Sequence, residues 1–150
     1  MNQDNIGKEE SGLTAIYNTY LLYADLVPNW KDLSKSDLCR KYLELKDAGE
    51  TTIAEYYFAA IVCRYWPKIP RFYKDSHYVV TQEECYDWLI DAILYAFEKR
   101  RWEDKDSSVY NDPSGPDKCI NRKMKCIRLN ALLYYNKDKR LSNVGAFIFY

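Results

Sequence analysis

Residues 81–102, TQEECYDWLIDAILYAFEKRRW, repeat apolar side chains at intervals of three and four, which is the spacing of an amphipathic helix. Thr81, followed three positions later by Glu84, is a capping-box pair that predicts where this helix begins. A half-buried strand would need alternation at every second residue, so this stretch indicates a helical fold. On a wheel of about 100° per residue the predicted core face is formed by Cys85, Trp88, Leu89, Ala92, Ile93 and Ala96.

Start and stop signals predict two more helices in the first third of the chain. Apolar residues with helical spacing cover residues 13–24, and Pro28 ends this helix. Ser34 and Asp37 form a second capping pair, and Gly49 marks the end of the helix that they begin. The N-terminal part of the chain is therefore expected to be helical.

A third helix is expected to be capped by Thr52 and Glu55 and to carry an aromatic-rich stripe. Pro67 and Pro70 are expected to close it, because proline lacks the N–H that a helix interior needs. Residues 67–80 then form a loop or a short turn.

The chain after residue 102 begins with a breaker-rich loop at 103–116 and continues as a helix over about 117–137. No strand alternation, internal repeat or linker interrupts the chain. The pattern predicts an all-α fold, a compact bundle of about five helices in one domain, 1–150. Within it we distinguish N-terminal helices (1–50), a core region (51–140) and an apolar tail (141–150).

A formal net charge of zero, with 22 basic and 22 acidic residues, hides a separation of charge along the chain. Acidic residues of the 81–102 helix lie opposite its core face, with Ile90 and Leu94 among them. Such a mixture suits a protein-binding surface, because charges orient a partner and apolar groups become buried. A solvated face with two exposed apolar residues is the alternative. From residue 116 onward, by contrast, the sequence contains eight basic and only two acidic residues.

The last helix combines basic and aromatic side chains. Lysine and arginine neutralise phosphates, and tyrosine rings provide stacking faces, a combination typical of proteins that bind single-stranded nucleic acid. A solvated basic face is the alternative. The candidate nucleic-acid-binding residues are Lys118, Arg122, Lys123, Lys125, Arg128, Tyr134, Tyr135, Lys137, Lys139 and Arg140.

Catalytic signatures are missing from the sequence. His77 is the one histidine and has no nearby nucleophile or carboxylate partner, and we read it as a surface residue. No glycine-rich phosphate loop, nucleophile elbow or metal-binding His pair occurs, so we expect no enzyme, cofactor, metal or small-molecule substrate. Without a leader or an apolar run of about 18 residues, and with an odd number of cysteines, the protein is expected in the cytoplasm, away from membranes.

The order of these features resembles the second conserved domain of bacterial sigma factors, especially the divergent sigma-like proteins of bacteriophages. The resemblance covers roughly residues 50–140: an aromatic-rich helix (AEYYFAAIVCRYW), a loop, an acid-led helix (EECYDWLIDAILYAFEKR), a polar loop and a basic helix ending in NALLYYNKDKR. In that family the acid-led helix carries an Asp-Leu-Ile-Gln-Glu type motif followed by small residues. Here Glu84 takes the Asp place, Cys85 and Tyr86 the apolar pair, Asp87 and Trp88 the Gln and Glu places, and Ala92 and Ala96 the small positions.

The resemblance implies a bundle like that sigma-factor domain and two partners, core RNA polymerase and promoter DNA. The acid-led helix would dock on the coiled coil of the polymerase β′ subunit. The basic helix would contact the −10 promoter element, with Arg122, Lys125 and Arg128 near phosphates. The protein would then act in the cytoplasm of a bacterial host cell. The implied polymerase-binding residues are Glu83, Glu84, Asp87, Trp88, Ile90, Asp91 and Leu94.

A different class of function fits the same sequence. A non-enzymatic phage structural or interaction protein could keep a sigma-like helical shell without its activity. The abundance of tyrosine and the apolar terminal segment GAFIFY favour this alternative, since a terminal apolar segment often docks on another subunit.

Overall fold

A computed structural model describes the backbone of residues 2–76 and 79–148 and the side chains of residues 12–76 and 79–135. Over these residues the regular structure is entirely helical, which confirms the all-α prediction, with six α-helices instead of about five. A 3₁₀ turn, Arg101–Glu103, follows the fifth helix. The helices are α1 (Asn2–Ala24), α2 (Lys35–Asp47), α3 (Thr51–Tyr65), α4 (Lys68–Asp75), α5 (Gln82–Lys99) and α6 (Gly115–Ile148).

Helix α4 replaces most of the loop predicted over residues 67–80. Pro67 is its N-cap residue and Pro70 lies in its first turn. Because the N–H groups of a first turn have no acceptor within the helix, prolines are tolerated there. Ile69 and Phe72, three residues apart, are both buried and fix the helix to the core. The two prolines therefore lie after the end of α3, as predicted, and also at the start of a further helix, α4.

The predicted caps of α2 and α5 are confirmed, whereas that of α3 is wrong. Ser34 Oγ accepts a hydrogen bond from the Asp37 N–H, and Thr81 Oγ1 accepts one from the Glu84 N–H, each at 3.0 Å. Helix α3 instead begins at Thr51, after Glu50, with no side-chain cap. Gly49 adopts a φ of 80°, and the Glu50 N–H donates to the Leu45 carbonyl at 2.9 Å. This tight reversal leads the chain into α3 before Thr52 can cap it.

The helices share one hydrophobic core. Helix α3 packs on α1 and α2, while α5 packs on α4 and α6. Every residue of the predicted core face of α5 is buried, as are the cysteines of α2 and α3, Cys39 and Cys63. Helix α6 contributes Ile120 and Met124, both fully buried. Among the described residues, no helix has the length and apolarity needed to cross a bilayer.

Arginine side chains fasten the loops to this core. The Arg64 guanidinium donates to the carbonyl oxygens of Trp30, at 3.0 Å, and Leu33. The Arg40 guanidinium donates to the carbonyls of Asp112 and Pro113, both at 2.8 Å. These bonds hold the α1–α2 connection on α3 and the loop before α6 on α2. A charged donor satisfying two carbonyls makes a stronger contact than a neutral one.

The start of α6 depends on a close approach at Gly115. A Cβ added there would lie 2.6 Å from Trp102 Cβ and 3.4 Å from the Val109 carbonyl oxygen. We therefore expect Gly115→Ala to lower the free energy of unfolding by about 1–3 kcal/mol, because the Trp102 Cβ and the 3₁₀ turn that carries it must shift. Urea unfolding followed by circular dichroism measures the change.

Gly12→Ala is the matched control. Gly12 lies within α1, and an added Cβ there would meet nothing within 4 Å. Because alanine is more favourable than glycine in a helix interior, the free energy of unfolding of this variant is expected to rise by up to about 1 kcal/mol. Equal effects of the two substitutions would contradict the close approach at Gly115.

Candidate nucleic-acid interface

A groove of about 310 Å³ lies between the C-terminal end of α5 and the first turns of α6. Four cationic side chains reach it from three elements: α5, the 3₁₀ turn and α6. No carboxylate lines it among the described residues, so it carries a concentrated positive charge. We call it the basic groove; its lining residues are Tyr95, Ala96, Lys99, Arg101, Cys119, Arg122, Lys123 and Cys126.

Tyr95 stands among the cations of the basic groove. The Lys123 Nζ lies 3.9 Å from the centre of its ring and the Lys99 Nζ lies 5.8 Å from it. The Arg101 Nη2 is 3.5 Å from the Tyr95 hydroxyl oxygen, to which it donates. This hydrogen bond, together with the charges of Lys123, Arg101 and Lys99, lowers the pKa of Tyr95. The groove thus favours negative charge on an oxygen atom placed within it.

The cations of the basic groove are available to a ligand. Within the described part of the chain, Lys99, Arg101, Arg122 and Lys123 form no ion pair with a carboxylate within 4.0 Å. A phosphate entering the groove therefore displaces no carboxylate, although it competes with the Tyr95 ring and hydroxyl for Lys99, Arg101 and Lys123. Convergent lysine and arginine side chains beside an aromatic ring suit a sugar-phosphate backbone with an adjacent base.

Two of the candidate residues on α6 are occupied by contacts within the protein. The Lys118 ammonium pairs with the Asp112 carboxylate at 2.5 Å. The Arg128 guanidinium donates to the Asp75 carbonyl at 3.3 Å and lies 5.7 Å from the centre of the Phe72 ring. Arg128 therefore fastens α6 to α4, and we leave it and Lys118 out of the interface.

The remaining candidates on α6 divide into three groups. Arg122 and Lys123 line the basic groove, whereas Lys125 is exposed outside it. Tyr134, 70% exposed, and Tyr135 lie further along the helix and do not line the groove. The side chains of Lys137, Lys139, Arg140 and the apolar tail lie outside the described ones, and His77 lies outside the described residues altogether.

Tyr95, Lys99 and Arg101 complete the groove, although the α6 pattern did not identify them. The available signal was the change from acidic to basic residues at the end of α5, with Tyr95 one turn before Lys99. The sequence could not separate Arg100 from its neighbours. In the fold Arg100 makes two hydrogen bonds to the Asp47 carboxylate, at 2.7 and 2.8 Å, and so connects α5 to α2.

The acidic residues of α5 form a separate surface. Glu83, Glu84, Asp87 and Asp91 are exposed, and within the described ranges none makes an ion pair. Ile90 is half-buried between them, and Leu94 is 49% exposed. We call these six residues the acidic face. Its charges are not neutralised by neighbouring helices.

Trp88 does not belong to the acidic face. Its side chain is only 7% exposed and is part of the hydrophobic core. On the helix it lies about 100° from Asp87, which turns it away from solvent. Trp88 was predicted to contact polymerase, but its ring packs in the core beneath the helix, and we therefore leave it out of the acidic face.

Leu94 connects the acidic face to an aromatic groove of about 400 Å³. This groove is lined by residues of four helices: Tyr20, Tyr23, Tyr42, Glu55, Phe58, Ala59 and Leu94. Leu94 is thus part of a wider apolar surface and not an isolated exposed residue. A partner helix that carries basic and apolar side chains could contact both the carboxylates and the groove.

The geometry at Tyr95 predicts an altered titration. The pKa of Tyr95 should lie below that of a free tyrosine, and Arg101→Gln should raise it, because the phenolate then loses a charged donor. Carbon-13 NMR of the tyrosine ring carbons against pH measures both values. Loss of one resonance in Tyr95→Phe assigns the signal, and an unchanged pKa in Arg101→Gln would contradict the contact.

Among the described residues, no cluster of three or more His, Cys, Asp or Glu side chains is placed to hold a metal ion. No family model, no curated protein and no solved structure matches the chain. What the protein binds is therefore inferred from its own two charged surfaces, the acidic face and the basic groove.

Proposed function

We propose that this protein is a non-enzymatic, sigma-like transcription protein, encoded by a phage, with two binding surfaces. The basic groove and the neighbouring part of α6 contact promoter DNA as a single strand, and the acidic face docks on bacterial core RNA polymerase. The observation that carries the proposal is the separation of unpaired charge onto two surfaces of the α5–α6 pair. In a protein of zero formal charge, this arrangement is expected when the two surfaces serve partners of opposite charge.

The nucleic-acid part of the proposal rests on the basic groove. Lys99, Arg101, Arg122 and Lys123 come from three elements and line one volume beside Tyr95. Each phosphate that they neutralise would release counterions, which makes the affinity depend steeply on salt. The Tyr95 ring provides a face on which an unpaired base could stack if Lys123 moves to the phosphate.

The polymerase part rests on the acidic face and on the resemblance to sigma factors. Carboxylates without internal partners attract a basic surface, while Leu94 and the aromatic groove offer area to bury. The coiled coil of the polymerase β′ subunit is the partner that the resemblance implies. Glu84 and Asp87 then correspond to the Asp and Gln positions of the sigma-factor motif.

A double substitution in the basic groove tests the nucleic-acid contact. Arg101→Gln with Lys123→Gln should weaken binding to a labelled oligo(dT) and reduce the slope of log K against log salt by roughly 1.4, since each single-strand phosphate contact contributes about 0.7. Fluorescence anisotropy at several salt concentrations measures both. The control, Lys41→Gln with Lys46→Gln, removes the same charge from an exposed part of α2. Equal behaviour of the two double variants would exclude the groove as the binding site.

Charge reversal on α5 tests polymerase docking. Asp87→Lys with Asp91→Lys should weaken binding to purified bacterial core RNA polymerase by about tenfold or more, because like charges would then face each other. Asp32→Lys with Asp106→Lys makes the same change of charge in two exposed loops and should bind like the unmodified protein. Surface plasmon resonance measures the affinities. Undiminished binding by the α5 variant would rule out the acidic face.

A second candidate function is that of a phage interaction protein without transcriptional activity. Leu129 and Leu133, each 59% exposed, and Tyr134 are exposed apolar or aromatic side chains on α6 after Arg128. Such side chains are typical of contacts with another protein subunit. A stable closed oligomer in light scattering, together with no affinity for polymerase, would favour this candidate over the first.

A further inference from the structure

A second group of cations lies on the other flank of α6. Lys35 is the first residue of α2, Lys68 is the first residue of α4, and Arg71 follows one turn later. Lys125 is exposed on α6. We call these four residues the cationic cluster, which brings together α2, α4 and α6.

A buried tyrosine brings the elements of the cationic cluster together. Tyr65, the last residue of α3, is fully buried, and its hydroxyl donates to the carboxylate of Asp117 near the start of α6. The Lys35 Nζ lies 4.7 Å from the centre of the Tyr65 ring. Lys68 follows Tyr65 by three residues, across the short turn into α4. The amines of α2 and α4 therefore lie beside the start of α6.

Positive charge in the cationic cluster is only partly compensated. Burial lowers the pKa of Lys68, and the charges of Lys35, Arg71 and Lys125 lower it further, while Asp117 acts in the opposite direction. In the described ranges the one ion pair of the cluster joins Arg71 to Asp75, at 4.0 Å on the surface. An anion bound here would relieve the repulsion among the lysines.

Helix geometry places the cationic cluster and the basic groove on opposite sides of α6. Lys123 belongs to the groove and Lys125 to the cluster, and residues two positions apart on a helix differ by about 200°. Arg122 lies between them, about 60° from Lys125 and about 100° from Lys123. These three side chains form an arc of positive charge across the outward surface of α6.

We propose that a single strand of nucleic acid crosses α6, from the basic groove over Arg122 to Lys125, Lys68, Arg71 and Lys35. This inference rests on the proposed function of the groove and adds a binding surface on α2 and α4. The backbone must curve around a helix about 10–12 Å in diameter, which a flexible single strand can do. A duplex stays straight over tens of base pairs and would reach only one flank.

A comparison of three double variants tests the crossing. Lys68→Gln with Arg71→Gln removes two cations of the cluster, Arg101→Gln with Lys123→Gln removes two of the groove, and Lys41→Gln with Lys46→Gln is the control. The probes are a labelled oligo(dT) and a blunt duplex of the same length, measured by fluorescence anisotropy against salt. Circular dichroism melts show that each variant is folded.

We call the first two double variants the cluster pair and the groove pair. Each should lower the affinity for oligo(dT) about 25-fold at 0.1 M salt relative to the unmodified protein. This factor follows if affinities are equal at 1 M salt and the slope of log K against log salt falls by about 1.4. The control should change little. If the groove pair loses affinity and the cluster pair behaves like the control, the strand does not cross α6. The proposed function of the groove is then unaffected.

The remaining outcomes separate the two proposals further. If the groove pair retains full affinity, or if the unmodified protein does not bind oligo(dT), both proposals fail. If the blunt duplex binds as tightly as oligo(dT) and loses affinity in both pairs, the ligand is a duplex and the single-strand crossing is wrong.

Discussion

The packing of α6 on α5 is the contact on which both charged surfaces depend. Ile120 and Met124 of α6 are fully buried, and Ala92 and Ala96 of α5, also buried, are small enough to let two helices approach closely. With the apolar sides of both helices turned inward, their charged sides must face solvent. The same packing sets the end of α5 beside the first turns of α6 and so forms the basic groove.

Internal contacts select which charges remain for a partner. Arg100 binds Asp47, Lys118 binds Asp112, and Arg128 reaches back to α4, so three cations maintain the fold. The cations Lys99, Arg101, Arg122 and Lys123, by contrast, form no ion pair in the described part of the chain. A charge count along the helix treats all these residues alike, whereas the loops and neighbouring helices divide them into structural and available groups.

Local signals predicted most of the fold but little of the groove. The caps at Ser34 and Thr81 and the core face of α5 follow from spacing alone, because they depend on residues within a turn or two of each other. The groove brings Tyr95 to Lys123 across 28 positions, and only the conformation of the intervening loop decides that distance. Helix α4 was missed because a proline in a first turn resembles one that ends a helix.

The charge pattern of α5 exceeds what stabilises the helix itself. Carboxylates in a first turn and amines in a last turn interact favourably with the helix dipole, which accounts for Glu83, Glu84 and Lys99. That effect is confined to the terminal turns, so it gives no reason for Asp87 and Asp91 in the middle of the helix. Neither has an ion-pair partner within the described ranges. Their positions are those that the proposed docking of the acidic face on a basic partner requires.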